Sequence, residues 1–455
     1  MKVFVWMLAA CALHAQALSE WAFGGPDHRL YYRTDPRGNA LMDFSFAGYH
    51  AGGVALPSPA VSQRLTPVAG DNTARIQAAL DCAKGAVVLA SGEYDIAGTL
   101  SITRSNVVLR GEKGAAIRLT GKPHPFLEIH GAGAWQEEGP RVPILDAFVP
   151  TGAATFRVRD AAAFHPGDHV LVLHLLPAEQ LGAVSRADRV IESVDGDRVT
   201  LDVPLSNALD GQFTPATLVR YTFPGRITEV GVENLRISAP SGDVYPAVRI
   251  DAAEDAWARD LDMRDVANAV VIGPSAKRLT LTNVRTSHSA TPAGSEAPAD
   301  FSLQGTQILL DRCRVTGEAA WPVVTLSEAA GPLVVLNFNA DHGGVAAHQP
   351  WATGLLVDGG KFPGATQARP GVAFSTNTAW SVAWNVTSPY LLVQQPPGAQ
   401  NWCVGCMGTP VTIGNTPNGI FDSAGKMVDP ASLYLHQLHD RLGPDALHNI
   451  GYSSY

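Results

Sequence analysis

Val232-Glu-Asn-Leu-Arg-Ile237 opens a pattern, apolar-x-polar-apolar-x-apolar, that decides the fold of this chain. The pattern returns as Ala258-Arg-Asp-Leu-Asp-Met263, Leu281-Thr-Asn-Val-Arg-Thr286, Leu310-Asp-Arg-Cys-Arg-Val315 and Leu336-Asn-Phe-Asn-Ala340. A last copy ends at Trp384-Asn-Val386. The residue after the polar position is Leu235, Leu261, Val284, Cys313, Phe338 and, past one poorly marked turn near Gly360, Val386. Six steps of roughly 25 residues each match one coil of a right-handed parallel β-helix built from three short strands. The period is too short for a propeller blade and lacks the Leu-rich signature of a horseshoe. Asn and Asp suit the polar corner because they tolerate left-handed backbone and can hydrogen-bond along the stack. A set of unrelated antiparallel hairpins is the alternative that the structure must exclude.

Working outward, residues 71–83 read as an amphipathic helix with Ile76, Ala79, Leu80 and Ala83 on one face and Asp71 or Asn72 as cap. Short strands follow at Ala86–Leu89, Gly98–Ile102 and Asn106–Gly111, so the helix is placed to cover the open end of a solenoid. Residues 134–225 break the period and read as a small antiparallel insertion. Near the C-terminus, Pro430 to Leu442 reads as a helix capped by Asp429 and stopped by Gly443-Pro444. The expected organisation is a leader at 1–17, an arm at 18–70, the capping helix and first coils at 71–133, and the insertion at 134–225. Main coils at 226–400 and a C-terminal cap at 401–455 complete it.

Lys2, the apolar run Val3 to Leu13 and Ala15-Gln-Ala17 fit an export leader, which places the protein in the periplasm or outside the cell. Leu8-Ala-Ala-Cys11 leaves lipid anchoring as the alternative. No segment has the length of a membrane-crossing helix. A formal net charge of −9 excludes a general nucleic-acid binder. Cys403-Val-Gly-Cys406 reads as a redox pair, half a zinc site, a small disulfide loop or two buried thiols, and an oxidising compartment favours the last two.

Asn72 to Leu80, Ser91-Gly-Glu-Tyr94, Gly98-Thr-Leu100 and Val108-Leu-Arg-Gly111 resemble the N-terminal segment of the pectate lyase superfamily. Nearly the whole chain resembles one branch of it, secreted right-handed β-helix proteins with a small β insertion. The marks of that branch are Asp43-Phe-Ser-Phe-Ala-Gly-Tyr49, Gly231-Val-Glu-Asn-Leu235, Ala253-Glu-Asp-Ala-Trp257, Trp351-Ala-Thr-Gly354, Gln400-Asn-Trp402 and Ser432-Leu-Tyr434. The resemblance implies a carbohydrate-active protein. Where the branch carries several His residues after the insertion, this chain holds Asp243, Asp265, Ala319 and Ala320.

The repeat register supplies candidate chemistry. Two places past each corner come Arg236, Asp262, Arg285, Arg314 and Asn339, and two further come Ser238, Arg264, Ser287, Thr316 and Asp341. Strand pairing spaces such columns by about 4.8 Å, so three arginines form a stripe able to grip carboxylate or sulfate. The competing reading is a solvated ladder in which Arg236, Asp262 and Arg285 neutralise one another. Asp243, Arg249, Asp251, Glu254 and Asp255 crowd a second stretch. There Asp243, Asp251 and Asp255 are candidate Ca²⁺ ligands, or the acids are simply solvated surface. His288, Asp341-His342 and His348 are possible proton carriers. Trp257, Trp321, Trp351, Trp380 and Trp384 are possible sugar platforms, with Trp384 placed in the core by its rung.

Three functions follow. The first is a lyase, with arginines or Ca²⁺ neutralising a uronate and His288 as one candidate base. The second is an inverting hydrolase, pairing Asp251 with Asp262 or Asp265. The third is a non-catalytic glycan-binding or surface protein. Each takes a polysaccharide as partner and works as a monomer.

Overall fold

A computed structural model describes residues 17–177, 182, 184–241, 243–290, 299–317, 321–347 and 349–453. The leader apart from Ala17, Ala319, Ala320 and His348 lie outside the described residues. The chain winds into a right-handed parallel β-helix. Ladder partners in successive coils are Leu235, Leu261 and Val284, so the register read from the repeat is the register of the structure. Antiparallel hairpins are excluded, because every pairing in the coils except one isolated bridge is parallel.

Each coil has three sides. The first is a ten-stranded sheet running from Leu100–Ile102 to Met407–Pro410. Long strands such as Ile227–Ser238, Ala253–Arg264 and Lys277–His288 supply the second side, bend at the polar corner, and continue as the third. The bend is left-handed at Asn234 (φ 58°), Asp260 (53°), Asn283 (52°), Arg312 (52°), Asn337 (50°) and Asn385 (50°). In the poorly marked turn the corner is Gly359, also left-handed at φ 68°. Glycine adopts that conformation without penalty, which is why no Asn marks it. A second left-handed stack, Glu229, Asp255, Arg278 and Gln307, turns the chain from the first side to the second.

Inside the coils, Leu235, Ile237, Leu261, Met263, Val284, Cys313 and Val315 are at most 1% exposed, a filled core with no room for a sugar. The helix Thr73–Cys82 buries Ile76, Ala79 and Leu80 on the end of this core. Asn72 occupies its cap position without a side-chain cap bond, while the Asp71 carboxylate accepts from Thr73 N at 2.9 Å.

The second side is not open. The N-terminal arm (Trp21, Leu41, Phe44) and the C-terminal helix Leu433–Leu442 pack together over Leu336, Leu356, Trp384 and Trp402. Ser432, not Asp429, caps that helix, accepting from Leu435 N. Trp384 therefore corrects its sequence reading. It alternates outward beside inward Ala383 and is buried under the C-terminal segment, its indole donating to Pro430 O at 2.8 Å.

The insertion is a six-stranded antiparallel sheet with Gln136–Pro143 at one edge and Thr155–Arg157 at the other, around Phe156, Val158, Val172, Ile191 and Leu218. Asp188 bonds Lys277, Arg189 bonds Gly331, and Ser206 bonds Thr353. These anchors hold it along the start of the second side. Cys403 and Cys406 form a disulfide, Cys82 is an exposed thiol and Cys313 a buried one. No helix among the described residues is long and apolar enough to cross a membrane.

Candidate functional site

The third side carries the candidate site. Here the parallel ladder pairs Arg236 with Asp262, Asp262 with Arg285, Arg285 with Arg314, and Arg314 with Asn339. Neighbours in this column are about 4.8 Å apart. Lys361 bridges to Asn339 and so continues the column one coil further. It escaped the sequence reading because Gly359 hides the corner that would have fixed its register. An open groove of about 730 Å³ lies over these residues, lined by Asp262, Arg285, Arg314, Asn339, Arg312 and Tyr452.

Tyr452 was also invisible in sequence, since the tail reaches the groove from more than a hundred residues away. Its hydroxyl donates to Asp311 at 2.6 Å and accepts from Asn337 at 2.9 Å. The Arg312 guanidinium lies 4.6 Å over its ring and binds Ile450 O at 2.8 Å. This tail is the groove's wall. The insertion, anchored through Lys277, Gly331 and Thr353, takes no part in it.

The column does not neutralise itself. Asp262 stands between Arg236 and Arg285, yet among the described residues no ion pair joins it to either. Arg236 reaches only Gly114 O, at 3.4 Å. Arg314 approaches Asp341 at 3.5 Å, with both side chains largely exposed. Arg264 sits in the neighbouring column, 70% exposed, and leans toward Asp265 at 3.4 Å.

The remaining sequence candidates disperse. Asp243 is exposed on the turn before the strand Pro246–Asp251, and Asp251 ends that strand. Six strand residues separate them by roughly 20 Å, and Ca²⁺ ligands must converge within about 2.6 Å of one ion. Asp251 instead accepts from Ser275 N at 3.1 Å and Ser275 Oγ at 2.7 Å. Asp255 lies at the second corner stack, where Arg278 donates to it at 2.7 Å. The calcium set Asp243, Asp251 and Asp255 is thus not formed.

Nor are the hydrolase pairs. Asp251 lies at the far end of a first-side strand from the turn holding Asp265, and a whole second-side strand separates it from Asp262. Asp265 is spent on Ser289, accepting from N at 2.6 Å and Oγ at 2.8 Å. Burial alone would raise its carboxyl, but the Ser289 donors hold it below the ordinary range. Arg249 projects from the first side, away from the groove.

His288 follows Val284 and Thr286 inward, and its side chain is 2% exposed. Its Nε2 lies 2.9 Å from Asp300. Burial pulls the imidazole down and the Asp300 carboxylate pulls it up; the carboxylate prevails. It is a buried ion-pair histidine without access to the groove, and the alternation from Val284 already pointed that way.

Among the described residues, three potential metal ligands gather only at His50, Glu229 and Asp255. Those groups already satisfy one another, with His50 Nε2 at 2.8 Å from Glu229 and Tyr49 donating to Glu229 at 2.6 Å.

No family model matches the chain, and no curated protein does. Among solved structures it is similar to the tailspike protein gp49 from Pseudomonas phage LKA1, at 15% identity over 75% of this chain and 70% of that one, TM-score 0.40. It is also similar to the gp54 tailspike of Acinetobacter baumannii bacteriophage AP22 in complex with A. baumannii capsular saccharide. That match has 12% identity over 79% and 73%, TM-score 0.32. A third is the A-module of Azotobacter vinelandii mannuronan C-5 epimerase AlgE6, with 11% identity over 80% and 97%, TM-score 0.34. Identities this low say nothing of chemistry.

Proposed function

We infer that the protein binds an acidic polysaccharide lengthwise along the third side and cleaves it by β-elimination. One observation carries this reading: Arg236, Arg285, Arg314 and Lys361 share a column that Asp262 does not neutralise. Cations one or two coils apart on one face suit a polymer bearing carboxylates along its length, and planar guanidinium grips carboxylate through paired hydrogen bonds. The resemblance to the pectate lyase superfamily supports the same substrate class.

Elimination needs a cation at the uronate, a base for the C5 proton and a proton donor for the leaving oxygen. Arg285 and Arg314 supply the first. Lys361, the amine in the column, is the base we assign, in its neutral form, and solvent in the open groove protonates the leaving oxygen. Hydrolysis is the weaker reading, because it needs two carboxylates about 6.5–9.5 Å apart. Asp262 is the one carboxylate among the groove's lining residues, and Asp341, beside it on the same face, stands three coils away, at least about 14 Å along the coil axis.

A panel of polyuronates, read by the ultraviolet absorbance of unsaturated ends, tests the assignment. Lys361→Ala should abolish product while retaining binding. Saturable binding without product across the panel would remove elimination and leave a glycan-binding protein.

A further inference from the structure

A second, smaller pocket of about 230 Å³ lies between the insertion and the coils, around the molecule from the groove. Trp135 and Arg186 reach it from the insertion, Arg226 from the turn before the strand Ile227–Ser238, and Gln304, Thr306 and Glu328 from two successive coils. Its floor is a buried ion cluster. Asp188 Oδ1 accepts from Tyr221 at 2.7 Å and Lys277 at 2.8 Å, while Oδ2 accepts from Arg226 at 2.9 Å and Trp135 at 3.3 Å. Burial works against the Asp188 charge, but Lys277 and Arg226 outweigh it and hold the carboxyl well below the usual range. Asp188 therefore has nothing left to offer a ligand.

The groups left over are of a particular kind. Arg226 is 6% exposed, and its Nε has no hydrogen-bond partner among the described residues. Gln304 spends its amide nitrogen on Ser327 O and keeps its carbonyl oxygen. Arg186 and Glu328 come no closer than 4.0 Å, so each retains capacity. The Trp135 ring is already covered, by the Arg186 guanidinium at 5.4 Å and that of Arg226 at 5.9 Å, so the pocket offers two guanidinium donors and two oxygen acceptors. Its volume falls below the roughly 300–1,000 Å³ of drug-sized sites, which limits the occupant to about one ring.

We propose that this pocket binds a single uronic acid unit. The carboxylate faces Arg186 and Arg226 Nε, and hydroxyls donate to Glu328 and the Gln304 carbonyl. The choice of uronate rests on the acidic-glycan reading of the groove; the pocket itself does not. Calorimetric titration of the full chain with glucuronic acid, galacturonic acid and glucose tests it. A uronic acid should bind at least tenfold more tightly than glucose. Arg186→Gln and Gln304→Leu should each weaken it at least tenfold without moving the melting temperature, and Arg285→Ala should leave it unchanged. Absence of uronate binding to the wild type overturns the proposal. So does binding lost with Arg285→Ala but kept in Arg186→Gln, which would place the monomer in the groove. The groove reading fails on a separate result, polymer affinity indifferent to Arg285→Ala.

Discussion

Arg285 and Arg314 are direct partners in the parallel ladder, two cations one coil apart on the same face with no carboxylate between them. Like charges so placed repel, and the fold tolerates this because both side chains reach solvent. A polyanion would relieve the repulsion. Arg285→Ala and Arg314→Ala should each weaken polyuronate binding, with a shallower salt dependence than the wild type. Stability should change by no more than about 1 kcal/mol, since exposed charges contribute little. If Arg285→Ala lowers the melting temperature and leaves affinity intact, the column is structural.

Leu261 is the converse case. It is 1% exposed between Leu235 and Val284 in the stacked core. Leu261→Ala should cost about 2–5 kcal/mol through the cavity it leaves. Urea unfolding should show this while the affinity of the folded fraction is unaltered.

Lys277 is 0% exposed and donates to Asp188 at 2.8 Å, tying the insertion to the coils. Lys277→Met leaves Asp188 buried with fewer partners, and breaking such a pair costs roughly 3–5 kcal/mol. Hydrogen exchange should show lost protection first in the insertion strands, such as Val184–Asp195. Uniform loss along the coils would mean that the cluster is not the tether.

Asp358 sets a pH dependence. Its Oδ2 accepts from Ser432 Oγ at 2.7 Å and Tyr434 N at 2.8 Å at the start of the C-terminal helix. Burial lifts the carboxyl to about 7 despite those donors. An unfolded Asp titrates near ~4, so between about pH 4 and 7 the folded state keeps a proton that the unfolded chain has released. This component of stability is complete below about pH 4 and is lost as pH rises toward 7. Asp358→Asn should lack it. The variant's stability, relative to the wild type, should therefore rise between pH 4.5 and 7.5. Parallel pH profiles would refute the assignment.

The column was legible in sequence because strand alternation is strict. Once Asn234, Asp260 and Asn283 fix the corners, Arg236, Asp262 and Arg285 must project outward together. The same rule sends His288 inward and Trp384 outward, so both were within reach of the register. Lys361 was not, because glycine at 359 satisfies the corner without the side chain that marks the others. Tyr452 and pocket residues such as Arg186 lie in segments with no repeat, whose partners are far away in the chain.

The sequence by itself determined the coil, its inward residues and the column of cations, because each follows from short-range rules of period and backbone conformation. Only the tertiary structure decided which side of the coil is open. The second side is covered by an arm and a helix that meet across some 400 residues of chain, as in the bond from Phe44 N to the Gln437 side-chain oxygen. Likewise the acids of 243–265, close in sequence, are carried to different corners of the coil. A solenoid sends sequence neighbours around its circumference and brings residues one period apart into contact, so proximity along the chain says little about a shared site.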